Sequence, residues 1–239
     1  ENHFRKNAKA TSVISNTLYQ RALDLGVNQE TLTLIPNGFN IPGWKPIRKS
    51  HARINLGFPE DEFIIGYVGS LFPKDAILLS RAFSLVHMSL PNARLLHLGQ
   101  SNYFPQADSQ IENNITITGN VDEKTLQVGL SACDVCWLPM SDVLANWGRF
   151  PLKFSNYLSA SKPVIVTNVG DIPEIVEQHN VGLICAPDEI ALSDVTTELA
   201  LNPQDARNFE FAAEQLSQNP EFSWKYQTKK ILEVFNHLI

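Results

Sequence analysis

The residues of this chain that could do chemistry are two cations, a set of glycines and a few polar loop residues. Arg149 and Lys153 stand four apart at the expected start of a helix, which puts both on one helical face. A helix N-terminus already favours anions through its unpaired N–H groups, so the pair is suited to a small anionic ligand. Gly69, Gly99 and Gly119 each follow a β-rich run. Glycine there lets the backbone come close to a ligand, or simply turn. Several of them on one sheet edge favour a ligand of nucleotide size. Cys133 and Cys136 form a C-x-x-C motif with no second Cys pair and no His nearby. They read as two small apolar residues at a helix end and a strand start, not as a redox or zinc site. His51, His87 and His179 show no partners at ligand spacing, and His97 reads as a core histidine, so no metal site is expected. Trp147 could stack on a ring of a ligand, or pack its loop. Asp142 could approach a ligand, but a loop carboxylate is more often just solvated.

These residues must be positioned by a strand–helix rhythm that runs along the whole chain. Strands are expected at Ala10–Ile14, Leu32–Ile35, Phe63–Val68, Arg94–Leu98, Ile115–Thr118, Val135–Leu138, Val164–Thr167 and Gly182–Cys185. Helices are expected from Ser15 to about Leu25, from Ala52, over 75–89, Glu123–Ala132, Pro151–Ser161, Ile172–Gln178, 190–200, 203–216 and 223–238. Pro151 is placed as a first helical residue. The alternation predicts an α/β fold, a Rossmann-like parallel sheet with helices on both faces. In such a sheet ligands bind at the carboxyl ends of the strands. Here those ends are Gly69-Ser70, Gly99-Gln100, Gly119-Asn120 and Pro139-Met140. Residues 39–50, with Pro42, Gly43 and Pro46, read as a linker. The expected division is 1–45, the end of one domain and its linker, and 46–239, a second domain.

Composition narrows the function. Of 239 residues, 44% are hydrophobic and 18% charged, which fits a globular core and not a disordered chain. The net charge of −6 comes with no Lys/Arg cluster, which argues against a nucleic-acid partner. No apolar run approaches the roughly 20 residues needed to span a bilayer, and no signal peptide opens the chain. Three cysteines, an odd number, point to a reducing compartment. The first residue is Glu1 and a buried strand already falls at 10–14, so the chain reads as part of a longer polypeptide. With residues 1–45 lacking a sheet of their own, an apolar patch is expected there, and self-association through it.

A series of landmarks then carries a family resemblance. Val13-Ile14-Ser15, Leu34-Ile35-Pro36-Asn37-Gly38-Phe39-Asn40, Ile64-Ile65-Gly66-Tyr67-Val68-Gly69-Ser70-Leu71 and Leu95-Leu96-His97-Leu98-Gly99 come first. Ile117-Thr118-Gly119-Asn120-Val121, Ala132-Cys133-Asp134-Val135 through Leu138-Pro139, and Ser161-Lys162-Pro163-Val164-Ile165-Val166-Thr167 with Gly170 follow. Pro173-Glu174-Ile175-Val176, Gly182-Leu183 and Phe222-Ser223-Trp224 complete the set. In this order and spacing they resemble the retaining GT-B glycosyltransferases of group 1, or family 4, from about Ala10 to the end. The resemblance implies the C-terminal half that binds a nucleoside diphosphate sugar, for transfer to a glycan or lipid-linked acceptor.

The resemblance also implies roles. The leaving diphosphate gains negative charge in the reaction, and cations and helix N-termini stabilise it without a metal or other cofactor. Gly69, Ser70 and Lys74 occupy the diphosphate loop, with Ser70 where the family has Arg and Lys74 taken as its Lys. Arg149 and Lys153 lie in Arg149-Phe150-Pro151-Leu152-Lys153-Phe154-Ser155-Asn156-Tyr157, which resembles the R-x-P-x-K-x-x-(D/E/N)-Y of one branch and could replace the lost Arg. Gly99, Asn120, Val121 and Asn156 are expected on the nucleoside, and Asn146, Gly148 and Phe150 near the donor sugar. Both carboxylates of the family's E-x7-E segment are absent, Gly148 and Asn156 standing in their places. The expected partner is therefore a nucleotide-sugar donor, with an acceptor-binding half lying outside this chain. The chain alone should then be inactive even if it binds nucleotide. The expected location is cytoplasmic. Many relatives build cell-surface polysaccharides or glycolipids, so peripheral contact with the inner membrane face is expected of a full-length protein. Loss of the motif residues supports an alternative: a degenerate, non-catalytic sugar-nucleotide-binding or scaffold subunit. Convergence of Lys74, Arg149 and Lys153 on one cleft separates the two readings.

Overall fold

A computed structural model describes residues 6–39, 43–45, 47–100 and 111–236. Parts of the linker read at 39–50 and of the polar loop read at 100–114 lie outside the described residues. The chain begins with β1 (Thr11–Val13), α1 (Asn16–Asp24) and β2 (Leu32–Leu34). β1 and β2 pair in parallel, so this segment does have a small sheet, with Ala22, Val27 and Leu32 buried between it and α1. The expected apolar patch shrinks accordingly: in residues 6–39 the exposed large hydrophobic is Ile14. Ser15 caps α1 by accepting from the Leu18 N–H, and Gly26, at φ +82°, ends it in the left-handed region.

After α2 (Lys49–Leu56), which takes over the end of the expected linker, comes the main sheet. It contains β3 (Phe63–Val68), β4 (Ala93–Leu98), β5 (Ile115–Ile117), β6 (Val135–Leu138), β7 (Val164–Thr167) and β8 (Gly182–Cys185). The order is β5-β4-β3-β6-β7-β8, and every pairing is parallel. The helices are α3 (Pro73–Ser89), α4 (Glu123–Ala132), α5 (Leu144–Trp147), α6 (Lys153–Ser159), α7 (Ile172–His179), α8 (Glu189–Leu201), α9 (Pro203–Gln218) and α10 (Trp224–Asn236).

The central strands β3, β6 and β7 are almost wholly apolar and buried because both of their faces are covered. Ile64, Val68, Leu96, Leu98 and Leu138 enter one core with Phe154, Tyr157 and Leu158 of α6. Ile65, Tyr67, Leu95, Val135 and Trp137 enter the opposite core with Ala76, Leu79, Phe83 and Val86 of α3. The period-two alternation of side chains thus assigns neighbouring residues of each strand to different layers.

Two devices lock the frame. Asp134, just before β6, accepts from the Ile64 N–H at 2.7 Å and from Arg53 of α2 at 2.6 Å. Arg53 is buried, and it also donates to the Ala132 carbonyl at the end of α4. Lys162 is buried too and donates to the Ser131 and Cys133 carbonyls, which satisfies the end of α4. Burial lowers its pKa. Cys133 and Cys136 are buried free thiols, and a Cβ on Gly66 would sit 2.7 Å from the Cys133 sulfur. The C-x-x-C is therefore a packing feature of β3, α4 and β6.

Candidate functional site

The sheet itself creates a crevice. From β3 the chain moves outward to β4 and β5, then returns to the other side of β3 as β6. Ligand crevices of open α/β sheets form where the strand order reverses in this way. β3 and β6 are in register only at Ile65–Val135 and Gly66–Cys136. Beyond that they are bridged by one buried phenol: Tyr157 donates to the Trp137 carbonyl at 3.0 Å and accepts from the Val68 N–H at 3.1 Å. Gly69 follows at φ +79° with open space where a Cβ would stand. A Cβ on Gly99 would come within 2.9 Å of the Gly69 backbone. Gly99 thus serves the packing of two strand-end loops, while Gly69 is the open one.

Around this crevice the structure assembles a charged network. Asp75 lies in the first turn of α3 and is 3% exposed. Its Oδ1 accepts from the Ser141 N–H at 2.9 Å, the Ser141 hydroxyl at 2.7 Å and the Asn146 amide at 3.0 Å. Its Oδ2 pairs with Arg149 Nη1 at 3.1 Å. The same nitrogen donates to Asn146 Oδ1 at 2.7 Å, and the guanidinium lies over the Phe72 ring, 4.5 Å from its centroid. Lys153 donates to the Tyr67 hydroxyl, and Tyr67 in turn donates to the Ser70 carbonyl at 3.0 Å. Burial lowers the Lys153 pKa to about 7, with Arg149 pushing the same way and Asp75 opposing. Burial, then Asp75, raises the Tyr67 phenol, so it stays a neutral donor. His97 packs edge-on to Tyr67, and its Nε2 lies 2.7 Å from the Gly69 carbonyl. Burial lowers its pKa, and the Gly69 bond opposes the shift.

The expected site residues divide accordingly. Arg149 and Lys153 come together, but not on one helix: α6 begins at Lys153, and Pro151 lies before it. The Phe150-Pro151 turn carries Arg149 instead. Lys74 is exposed and shares a pocket of about 340 Å³ with Phe72, Asp75, Asn146 and Arg149. The inward position of the first α3 turn is held by Asp75, which sequence reasoning missed. A buried acid facing a cation across 74 residues leaves no local pattern.

Two residues expected on the sugar have their side chains engaged elsewhere. The Asn146 amide is buried and bonded to Asp75, Ser141 and Arg149. Phe150 is buried and stacked on Phe39 at 5.9 Å, which also meets Phe154 and Phe222. Its carbonyl accepts from Asn37 of the Pro36-Asn37-Gly38 crossing at 2.7 Å. Gly148 is half-buried, and a Cβ there would stand 3.0 Å from Leu18 of α1. The tip of Leu18 from the first segment therefore stands close to position 148 and would have to shift for a side chain there.

Asn156 is half-buried on α6, one turn beyond Lys153. Asn120 is exposed and Val121 half-buried at the far strand end, before α4. Trp147 is partly exposed and donates to Asp142 at 2.7 Å, so each occupies the other. Trp224 packs on Gly38, where a Cβ would meet its backbone N at 2.5 Å. A groove of about 890 Å³ runs between Thr17, Leu18 and Arg21 of α1 and Leu144, Gly148 and Arg149. Ser15 donating to the Gly148 carbonyl and the Asn16 N–H donating to Asp171 hold its walls together. Among the described residues no cluster of His, Cys, Asp and Glu could hold a metal ion, and no helix is long and apolar enough to cross a membrane.

Comparison with known proteins gives the family and the fold. Residues 62–202, more than half of the chain, match the family model of group 1 glycosyl transferases. The chain belongs to that family. No curated protein sequence matches it. In structure it is similar to sucrose-phosphate synthase from Thermosynechococcus elongatus, at 23% identity and TM-score 0.77, over 99% of this chain and 60% of that one. It is similar to Anabaena HepE in complex with UDP-glucose, at 19% identity and TM-score 0.82, over 99% of this chain and 66% of that one. A glycosyltransferase from Rickettsia africae matches at 19% identity and TM-score 0.76, with the same coverage as HepE. These likenesses establish the fold, a GT-B type with a Rossmann-like sheet. The chain spans less than two thirds of the length of each of these structures.

Proposed function

We propose that this chain is the donor-binding part of a retaining glycosyltransferase and holds the diphosphate of a nucleotide sugar at the β3–β6 crevice. The observation that carries the proposal is the convergence of Arg149 and Lys153 beside the Gly69-Ser70 turn, with Lys74 lining the same pocket as Arg149. Two cations close to the N-terminus of α3 make an anion site in the place vacated by an Arg at 70. The nucleoside then runs along the sheet edge past Gly99 toward Asn120 and Val121, with Asn156 near the ribose. The HepE structure holds UDP-glucose, which supports a nucleoside diphosphate sugar as the ligand class here. Cations and helix dipoles, not a metal, stabilise the leaving group in this reading.

Of the residues expected on the donor sugar, the Asn146 and Phe150 side chains are assigned to support, and the backbone at Gly148 is left for contact. The groove between α1 and Gly148 opens beside Arg149, and the acceptor enters from that side. Closure of a second domain over the crevice would exclude water and align the reactants. On this reading the 239 residues alone bind donor without transferring it, and the full-length enzyme works in the cytoplasm on a glycan or lipid-linked acceptor at the inner membrane face.

One observation favours the alternative of a non-catalytic subunit. Gly148 and Asn156 leave the site without the two motif carboxylates, and a side chain at 148 would have to displace the Leu18 tip by a few tenths of an ångström. Titration of UDP, GDP and ADP against the wild-type chain and an Arg149→Ala/Lys153→Ala double variant tests the proposal. Loss of affinity of about tenfold or more is expected for the double variant. Equal affinity for both proteins would remove the diphosphate role.

A further inference from the structure

Asp75 has no place in the diphosphate reading by charge. A carboxylate beside an anion site repels the ligand, and on electrostatic grounds alone its removal should tighten binding. Yet the structure surrounds it with donors. Oδ1 takes three hydrogen bonds from Ser141 and Asn146, and Oδ2 takes Arg149. The bonds fix the carboxylate in one orientation from α3, from the loop after β6 and from α5. Arg149 is then held at a single nitrogen, Nη1, by Asp75 and Asn146 together, with its flat face on Phe72. Among the described residues no acceptor stands on Nε or Nη2, and the side chain is 26% exposed. One corner of the guanidinium is anchored, and the residue lines both the pocket of about 340 Å³ and the groove of about 890 Å³.

We propose that Asp75 is a positioning residue: it holds Arg149 by Nη1 over Phe72 so that the Nε–Nη2 edge meets the diphosphate as a preformed fork. The proposal rests on the donor-site reading above and adds a role that runs against simple charge. A guanidinium presented by one fixed edge makes two parallel bonds to phosphate oxygens and loses little freedom on binding. The net local charge stays positive through Lys74 and the protonated fraction of Lys153.

The test is calorimetric titration of UDP, GDP and ADP, with uridine as control, into the 239-residue chain and into Asp75→Asn, Arg149→Ala and the double variant. Asparagine keeps the shape and the Ser141 contact but turns a donor toward Arg149. If UDP is the nucleotide bound, Asp75→Asn should weaken it about tenfold while uridine affinity holds, and should cause no further loss in the Arg149→Ala background. Tighter or unchanged UDP binding in Asp75→Asn, with Arg149→Ala still weakened, overturns the positioning role and leaves the donor site standing. No binding of any nucleotide to the wild type removes the donor site, and this proposal with it. Should Asp75→Asn fail to fold, Phe72→Ala at an exposed position replaces it, with a loss of about threefold expected and an unchanged affinity counting against the proposal. Nitrogen-15 NMR of Arg149 gives a readout without nucleotide. Hindered guanidinium rotation in the wild type supports the role, and free rotation contradicts it.

Discussion

At Lys153 a single side chain sets a pH dependence. Its pKa near 7 in the free protein means that it is charged below that pH and neutral above it. A diphosphate binds the charged form, so binding raises the pKa and takes up a proton when the pH lies above 7. Affinity should therefore fall as pH rises, by up to about tenfold between pH 7 and 8, the slope of one proton. Calorimetry at pH 8 in buffers of different ionisation enthalpy should record the uptake, and Lys153→Arg, always charged, should abolish it. A flat profile in the wild type would contradict the assignment. Ser161 makes a second residue-scale case. It stands at φ +55°, in the left-handed region that favours glycine. Ser161→Gly should relieve strain of about 1 kcal/mol, partly offset by glycine's extra freedom in the unfolded chain. A melting temperature raised by a degree or two is the expected result, and a lowered one would show that the strain is already compensated. The cations at 149 and 153 were legible from their place in the motif, but the shared helical face that their spacing implied is not what brings them together. Asp75 was not legible, because its partners come from other segments, and the motif directed attention to Lys74 beside it.

Between elements, the crevice depends on how β3 and β6 separate. Tyr157 spans the gap with one hydroxyl, donating to one strand and accepting from the other. Tyr157→Phe leaves a buried N–H and a buried carbonyl short of a partner, which should cost about 1–3 kcal/mol and weaken nucleotide binding as the strand ends relax. Denaturant unfolding and titration of the same variant check both effects. Arg53 and Asp134 tie α2 to the β3–β6 edge away from the ligand. Arg53→Ala removes a buried guanidinium and its bonds to Ala132 and Asp134, while Lys49 and the Ile64 N–H stay on the carboxylate, and it should cost about 1–3 kcal/mol while leaving the affinity of the folded fraction intact. The six strands of the main sheet and their helices were readable because apolar runs bounded by glycine, proline and polar turns have few alternatives in a parallel sheet. The start of α6 falls two residues after the expected Pro151, where the Pro151 carbonyl accepts from the Phe154 N–H in a tight turn and Arg149 lies before the helix. Phe150 was read as a site residue from its place in a motif, whereas the Phe39 cluster claims it for the crossing.

For the molecule as a whole, the first segment is docked and not dangling. Ser15, Asn16, Leu18 and Asn37 all touch the 148–150 loop or Asp171. The sequence led instead to an expectation of a segment without a sheet of its own and with an apolar patch, so both the docking and the approach of Leu18 to position 148 required the coordinates. The chain covers 60–66% of the related structures described above, and the account assigns it donor binding without transfer. The most direct test of that central claim is a thermal-shift panel of UDP, GDP and ADP with the wild-type chain and the Arg149→Ala/Lys153→Ala variant. A ligand at about 100 times its dissociation constant adds about 2.7 kcal/mol, worth several degrees at this size. The account expects a shift with one base in the wild type and its loss in the variant. An absent shift with all three, or an equal shift in both proteins, would contradict it.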